Sequence, residues 1–156
     1  EIREAFDAER TSTGKNELIL SIGVPAGKEH IDKGFDISTI TEYVDFMNVL
    51  SYDYHTPYES ETHHHSPLSK RPNFSRWDRR NKLNIEWTID YYLELGAVPE
   101  KLIVGIPIYG RTYTLLDPKD NKLEAPTNGP GKEGPSTKEK GYMAYFEICQ
   151  KSLMDE

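Results

Sequence analysis

Phe46-Met47-Asn48-Val49-Leu50-Ser51-Tyr52-Asp53-Tyr54-His55 decides the fold, because an apolar run of strand length gives way at once to side chains able to do chemistry. Phe46 to Tyr52 is too short for a helix and almost unbroken in its apolar content. That predicts a strand buried on both faces of a parallel sheet. In parallel α/β proteins the binding and catalytic groups stand at the carboxyl ends of strands, so Ser51, Tyr52, Asp53, Tyr54 and His55 are the residues to watch.

Upstream, Asp36 or Ser38 can cap a helix in which Ile37, Ile40, Tyr43 and Val44 recur at three- and four-residue spacing. Glu17 to Gly23, with Leu18, Ile19, Leu20 and Ile22, reads as an earlier buried strand that Val24-Pro25-Ala26-Gly27 ends. Glu1 to Glu9 carries a helical stripe of Ile2, Ala5, Phe6 and Ala8 and stops before the turn-rich Thr11 to Asn16. Downstream, residues 53 to 81 are polar and irregular, with Pro57, Pro67 and Pro72. The segment is longer than an ordinary connection, the mark of a functional or mobile loop. A helix over about Ile85 to Leu95 should turn Ile85, Ile89, Tyr92 and Leu93 inward and stop at Gly96. A third buried strand, Leu102 to Ile108, then delivers Tyr109, Gly110 and Arg111 at its carboxyl end.

Strand, helix, strand, loop, helix, strand is the rhythm of right-handed parallel βα units, so the class is α/β. After Gly110 the rhythm changes. Thr112 to Leu115 alternates like an exposed antiparallel strand, Pro118 to Lys140 is crowded with Pro, Gly and Lys, and a last amphipathic helix begins near Tyr142. The expected division is therefore residues 1–111, with strands at about 17–23, 46–52 and 101–108, followed by an α+β segment over residues 112–156.

The 156 residues carry 26 acidic against 19 basic side chains, a formal charge of -7, which argues against a nucleic-acid or anionic-membrane surface. The apolar share of 36% includes ten Tyr, and it stays below the about 45–50% of an average domain when the eleven Gly are counted in their place, so the core is thin. No apolar run reaches the roughly 18 residues of a membrane span. Glu1 to Arg10 reads as a charged helix, and a chain that opens inside a helix without Met is expected to be a fragment, with any targeting segment outside it. Cys149 is the only cysteine, which excludes C-x-x-C metal and redox sites. It is either a small buried hydrophobe or half of a disulfide whose partner lies elsewhere. Asn73-Phe74-Ser75 is a glycosylation sequon in a polar loop.

Asp53 and Arg111 close consecutive strands and could meet as an ion pair at one cleft; the plainer alternative is an Asp that caps backbone amides. His63-His64-His65 invites a metal, but adjacent ligands on an irregular loop are poorly spaced for a tetrahedral site, and a solvated loop with no metal is expected. No dinucleotide fingerprint, phosphate loop or serine-hydrolase elbow is present, and no cofactor is expected.

Phe46 to His55 resembles the sixth-strand motif of family 18 glycoside hydrolases, the chitinases, and Gly105-Ile106-Pro107-Ile108-Tyr109-Gly110-Arg111 resembles their seventh-strand motif. Gly129-Pro130-Gly131 and Gly141 to Cys149 are similar to the insertion domain of animal members, and the Tyr-Asp-Tyr-His block is most like arthropod ones. The resemblance covers nearly the whole chain. It implies part of a (β/α)8 barrel, strands five to seven over residues 1–111, followed by the start of the α+β insertion domain.

The resemblance also implies a secreted, extracellular protein with a monomeric parent, acting on chitin or chitooligosaccharides without a cofactor. Hydrolysis would be substrate-assisted and retaining: the sugar's own N-acetyl oxygen attacks the anomeric carbon while a Glu protonates the leaving oxygen. That Glu closes a D-x-x-D-x-D-x-E motif, which this chain does not contain, so the isolated chain is expected to be inactive. By the same resemblance Tyr52 would hold the N-acetyl group and Asp53 would contact the same sugar. Tyr109 and Arg111 would line the cleft, and Glu147 would reach substrate at its wall. Leu50 stands where the family usually has Met, close in volume, and Thr56 where Gly is common. Two other readings are a chitinase-like lectin that binds without hydrolysis and a protein that organises matrix chitin.

Overall fold

The computed structural model describes residues 1–72 and 75–154 as two compact units. One comprises Glu1–Ser51 with Ser69–Gly105, the other Tyr52–Leu68 with Ile106–Glu156. The division expected after Arg111 thus falls inside the second unit.

The first unit runs α1 (Ile2–Thr13), β1 (Ser21–Pro25), α2 (Lys28–Gly34), α3 (Ile37–Tyr43), β2 (Phe46–Leu50), α4 (Ile85–Glu94) and β3 (Leu102–Val104). The three strands form one parallel sheet in the order β1-β2-β3, with Ile22 opposite Met47 and Met47 opposite Leu102. The core gathers Val24, Ile31, Ile37, Val44, Met47, Val49, Tyr92 and Ala97. Tyr92 is the largest buried side chain among the described residues, and its hydroxyl donates to the Pro25 carbonyl at 2.6 Å, so the polar atom it carries inward is satisfied.

Helix ends follow their side chains. Asp36 caps α3 by accepting the Thr39 amide at 3.1 Å, as its position predicts. Asn84 caps α4 through the Trp87 amide, and Gly96, at φ 90°, stops it: the Ala97 amide reaches back to Tyr92 and the Gly96 amide to Leu93. Lys101 Nζ donates to the Thr41 and Val44 carbonyls at the end of α3.

Several expected boundaries move. Helix α1 runs through the turn-rich Thr11 to Thr13, whose Thr11 and Thr13 hydroxyls donate to carbonyls one turn back. None of its side chains is buried, and Arg3 ties it down through Glu17 and Asp45. Strand β1 begins at Ser21 rather than Glu17, and Leu18 and Ile19 are exposed. The Leu20 amide is already taken by the Asp45 carboxylate. The unexpected α2 follows at once. Strand β2 stops at Leu50, where the Ser51 amide folds back on the Val49 carbonyl, and it alternates Met47 and Val49 inward instead of being buried on both faces. Tyr43 and Leu93 point outward. The third strand ends at Val104, not Ile108: the Gly105 amide closes on Val49, the Ser51 hydroxyl donates to the Gly105 carbonyl, and Pro107 has no amide for a ladder.

The second unit is built from two antiparallel ribbons. Strand β4 (Tyr109–Arg111) pairs with β7 (Tyr142–Ala144), and β5 (Tyr113–Leu115) pairs with β6 (Thr127–Pro130). Helix α5 (Tyr145–Met154) follows β7 without a break, so the helix expected from Tyr142 starts three residues later. Tyr109, Gly110 and Arg111 are therefore a strand of this unit rather than the tail of β3. Segment 52–68 is fastened to β6 by a bridge between Glu61 and Pro126 and by the Thr127 amide on the Ser60 carbonyl.

Candidate functional site

The second unit gathers Tyr52, Asp53, His65, Tyr109, Arg111, Glu139 and Tyr142 into one polar and aromatic cluster. Asp53 follows β2 by three residues and sits in the left-handed region, φ 57°, which Asp tolerates better than most side chains. From there its carboxylate takes both arms of Arg111, Nε to Oδ1 at 2.8 Å and Nη2 to Oδ2 at 2.7 Å. This is the planar two-bond geometry that makes Arg with carboxylate the stronger kind of ion pair. The pair that the two strand-end positions foretold forms, although Arg111 comes to it from β4.

Burial pushes the Asp53 carboxyl upward, but the Arg111 guanidinium and the Tyr109 hydroxyl outweigh it and hold the group below its ordinary range. The Tyr109 phenol moves the other way: burial and its bond to Asp53 raise it, so it stays a donor. His65 completes the arrangement. Its Nε2 lies 3.1 Å from the Tyr109 carbonyl, which can only accept, so that nitrogen carries the proton. The bare Nδ1 then faces the Asp53 amide at 3.5 Å. Burial lowers the His65 titration, so the ring is neutral near pH 7.

Aromatic faces surround these charges. Tyr109 stacks with His65 at 4.7 Å and with Tyr142 at 4.8 Å, and Tyr52 meets it edge-on at 6.2 Å. The Arg111 guanidinium lies over the Tyr109 and Tyr142 rings. Glu139 stands 3.6 Å from Arg111 and is largely exposed. The arrangement offers two carboxylates, phenol hydroxyls and flat apolar faces side by side, the complement of a ligand with many hydroxyls and apolar C–H patches.

His65, Glu139 and Tyr142 were not singled out in the sequence. The triple-His run read as solvated loop, Glu139 fell in a segment noted only as crowded with Pro, Gly and Lys, and nothing local marks the contacts they make.

Glu147, the remaining sequence candidate, is 2% exposed. Its Oε1 accepts the Ser136 and Thr137 amides at 2.7 and 3.0 Å, and Oε2 accepts the Thr137 hydroxyl and the Ala144 amide at 2.8 and 2.9 Å. Burial raises the acid, yet these four donors prevail and hold it at about 2. Gly134 is placed so that a Cβ there would run into both carboxylate oxygens. Cys149 is a free, half-buried thiol, and Asn73 lies outside the described residues.

The triple-His run is not a solvated loop. His64 faces outward, His65 joins Asp53, and His63 stacks on the buried His55 ring at 4.1 Å. His55, Glu59 and His63 are, among the described residues, the set of three whose donor atoms come close enough to hold a metal ion.

The chain matches the model of Glycosyl hydrolases family 18 over residues 1–155. It is 39% identical to chitotriosidase-1 of Mus musculus over 149 residues, 96% of this chain and 32% of that protein. It is 38% identical to chitinase-3-like protein 2 of Homo sapiens, over 96% of this chain and 38% of that one. A solved structure of human YKL-39, described as a pseudo-chitinase with retained chitooligosaccharide binding properties, superposes at a TM-score of 0.91 with 36% identity. It covers 97% of this chain and 42% of that one. The chain thus spans about a third to two-fifths of the length of these relatives, and the α/β strand and helix order is that of part of their barrel. By the match over residues 1–155 and the fold alike, this chain belongs to family 18 of the glycosyl hydrolases.

Proposed function

We propose that the protein carrying this chain binds β-1,4-linked N-acetylglucosamine polymers and hydrolyses them with retention, and that the Asp53–Arg111 cluster is part of its sugar subsite. The observation that carries this reading is the two-bond ion pair set among Tyr52, Tyr109 and Tyr142. In a substrate-assisted reaction the N-acetyl oxygen must be held in line with the anomeric carbon, and correct orientation lowers the barrier by several kcal/mol, up to about 7–11 in the best intramolecular cases. Tyr52, edge-on to Tyr109, presents a hydroxyl for the N-acetyl group, and Asp53 accepts from the same sugar. Arg111 fixes the rotamer of Asp53 and keeps it ionised. Tyr109, held protonated, remains a donor in the cleft.

The same geometry supports a different role for one candidate. Every oxygen of Glu147 is committed inside its own unit, which gives it a structural role, and Glu139, exposed beside Arg111, is the carboxylate free to meet substrate. The general acid is supplied by a part of the protein outside this chain. A polymeric substrate of this class supports a reaction outside the cell.

A binding-only protein is the second reading, favoured by the similarity to a pseudo-chitinase that keeps its oligosaccharide binding. Full-length protein incubated with N-acetylglucosamine pentamer separates them. Shortened products with retained anomeric configuration are expected. Binding of the intact pentamer with no products would establish the lectin, and neither binding nor products would overturn both.

A further inference from the structure

We propose that His55, Glu59 and His63 bind one Zn2+ ion, which clasps the loop carrying Asp53 and His65. The three residues recur at four-residue spacing in Tyr52–Leu68, and their donor atoms all lie within 4.8 Å of one another. Two imidazole nitrogens and one carboxylate oxygen make a donor set of the borderline character that Zn2+ favours over Mg2+ or Ca2+, with the remaining position left to water.

The site is prepared rather than incidental. His55 is buried, the His63 side chain is 7% exposed, and Glu59, about two-fifths exposed, opens a path from solvent. The His55 Nδ1 and Glu59 Oε2 are already 2.8 Å apart. The other Glu59 oxygen accepts the Thr56 amide at 2.9 Å, the kind of outer contact that orients a ligating carboxylate. The backbone that carries the ligands is stapled from several sides. Thr127 Oγ1 donates to the Glu59 carbonyl at 2.7 Å, the Thr62 amide donates to Ala125, and the Tyr113 hydroxyl donates to the His63 carbonyl.

Ligand atoms around a tetrahedral Zn2+ with bonds of about 2.0–2.1 Å stand roughly 3.3 Å apart. The His55–Glu59 pair is already near that separation, so closure consists mainly of turning the His63 ring out of its 4.1 Å stack on His55. The adjacency that counted against His63-His64-His65 as a metal run does not apply, because only His63 of the three contributes. The inference does not rest on the glycan reading, since the ligands are separate from Asp53 and Arg111 and the readout is metal binding.

The test is titration of tag-free, chelator-stripped full-length protein with Zn2+ alone. One equivalent is expected to bind and to raise the melting temperature, and excess chelator should reverse the rise. Losing an outer-shell partner weakens metal sites about 10- to 100-fold, so Glu59→Gln and His63→Asn, which remove ligands, should each weaken binding more than about 100-fold. His64→Asn, one residue away, should leave it unchanged. Co2+ should give a tetrahedral absorption band with the parent protein and none with Glu59→Gln, a readout that holds even where a His substitution impairs folding. A folded parent that binds no equivalent of Zn2+, or Glu59→Gln and His63→Asn proteins that bind as the parent does, would overturn the assignment.

Discussion

Asp53 and Glu147 are two carboxylates of the same unit held ionised by opposite means. Asp53 is a third exposed, has a guanidinium on both oxygens and keeps aromatic faces around it. Glu147 is buried and is satisfied by three backbone amides and a hydroxyl. A charge held by amides within hydrogen-bond distance is locked to the backbone that offers them, and moving it would leave several buried donors unsatisfied. A charge held by one flexible side chain at a solvent-facing surface can exchange part of that partner for a ligand. The difference separates a joint of the fold from a candidate binding group, though both read as acids in similar motifs.

The largest expected effect lies on the binding side. Asp53→Asn keeps the shape and the tolerance for φ 57° but removes the charge and one acceptor facing Arg111. Small displacements of a positioning contact cost about 100-fold in rate, so under the hydrolytic reading proposed above turnover by the full-length protein should fall by about that factor or more. The melting temperature should change less than turnover, since Asp53 is a third exposed and solvent screens the pair. Normal turnover with a depressed melting temperature would make Asp53 a capping residue and erase the contrast with Glu147.

The next effect is on stability. In Glu147→Gln the amide oxygen can keep the Ser136 and Thr137 amides, but the NH2 group then faces the Ala144 amide, donor against donor. We expect the melting temperature to drop by more than about 5 °C, with turnover per folded molecule nearly unchanged. Gly134→Ala approaches the same joint from the other side, because its Cβ would press on both Glu147 oxygens, and should act in the same direction. Unchanged melting in both variants, with turnover lost in Glu147→Gln, would return Glu147 to the substrate.

Much of this architecture was legible in the sequence, and the failures have physical causes. The α/β class, the Asp36 cap and the Gly96 stop follow from local pattern, which is what backbone geometry and capping obey, whereas the Asp53–Arg111 pair was anticipated from strand-end placement and forms from β4 instead. Strand ends did not follow. Leu18, Ile106 and Ile108 are apolar and exposed, so an apolar run alone overstated β1 and β3, whose limits are set by Asp45, Ser51 and Pro107. Tyr142 was invisible because antiparallel pairing of β4 with β7 sets it opposite Arg111, and His65, read only as part of a His run, joins through the Tyr109 carbonyl and ring; neither contact follows from spacing along the chain. The departures from the family pattern cost little: Leu50 lies exposed at the end of β2, and Thr56, where Gly is common, is not among the described non-glycine residues with positive φ.

The smallest effect, and the one that sharpens the contrast most, is the order in which three groups fail in acid. His65 is lowered from 6.5 by burial, so below about pH 6.5 the unfolded chain takes up a proton that the folded ring resists, and stability begins to fall there. Glu147 is lowered from 4.5 to about 2, so its contribution is complete above about pH 4.5 and is lost as the pH falls from there toward 2. Asp53 is lowered from 3.8, and its share is lost only below that value. Urea unfolding of the full-length protein at a series of pH values should show the three windows through single variants. His65→Gln should flatten the slope just below pH 6.5, Glu147→Gln between about 4.5 and 2, and Asp53→Asn only below 3.8, with the smallest change because solvent screens a partly exposed pair. If Asp53→Asn flattened the profile more than Glu147→Gln, the amide cradle would be the weaker of the two holds, and a charge fixed by backbone donors could not be what anchors α5 to its unit.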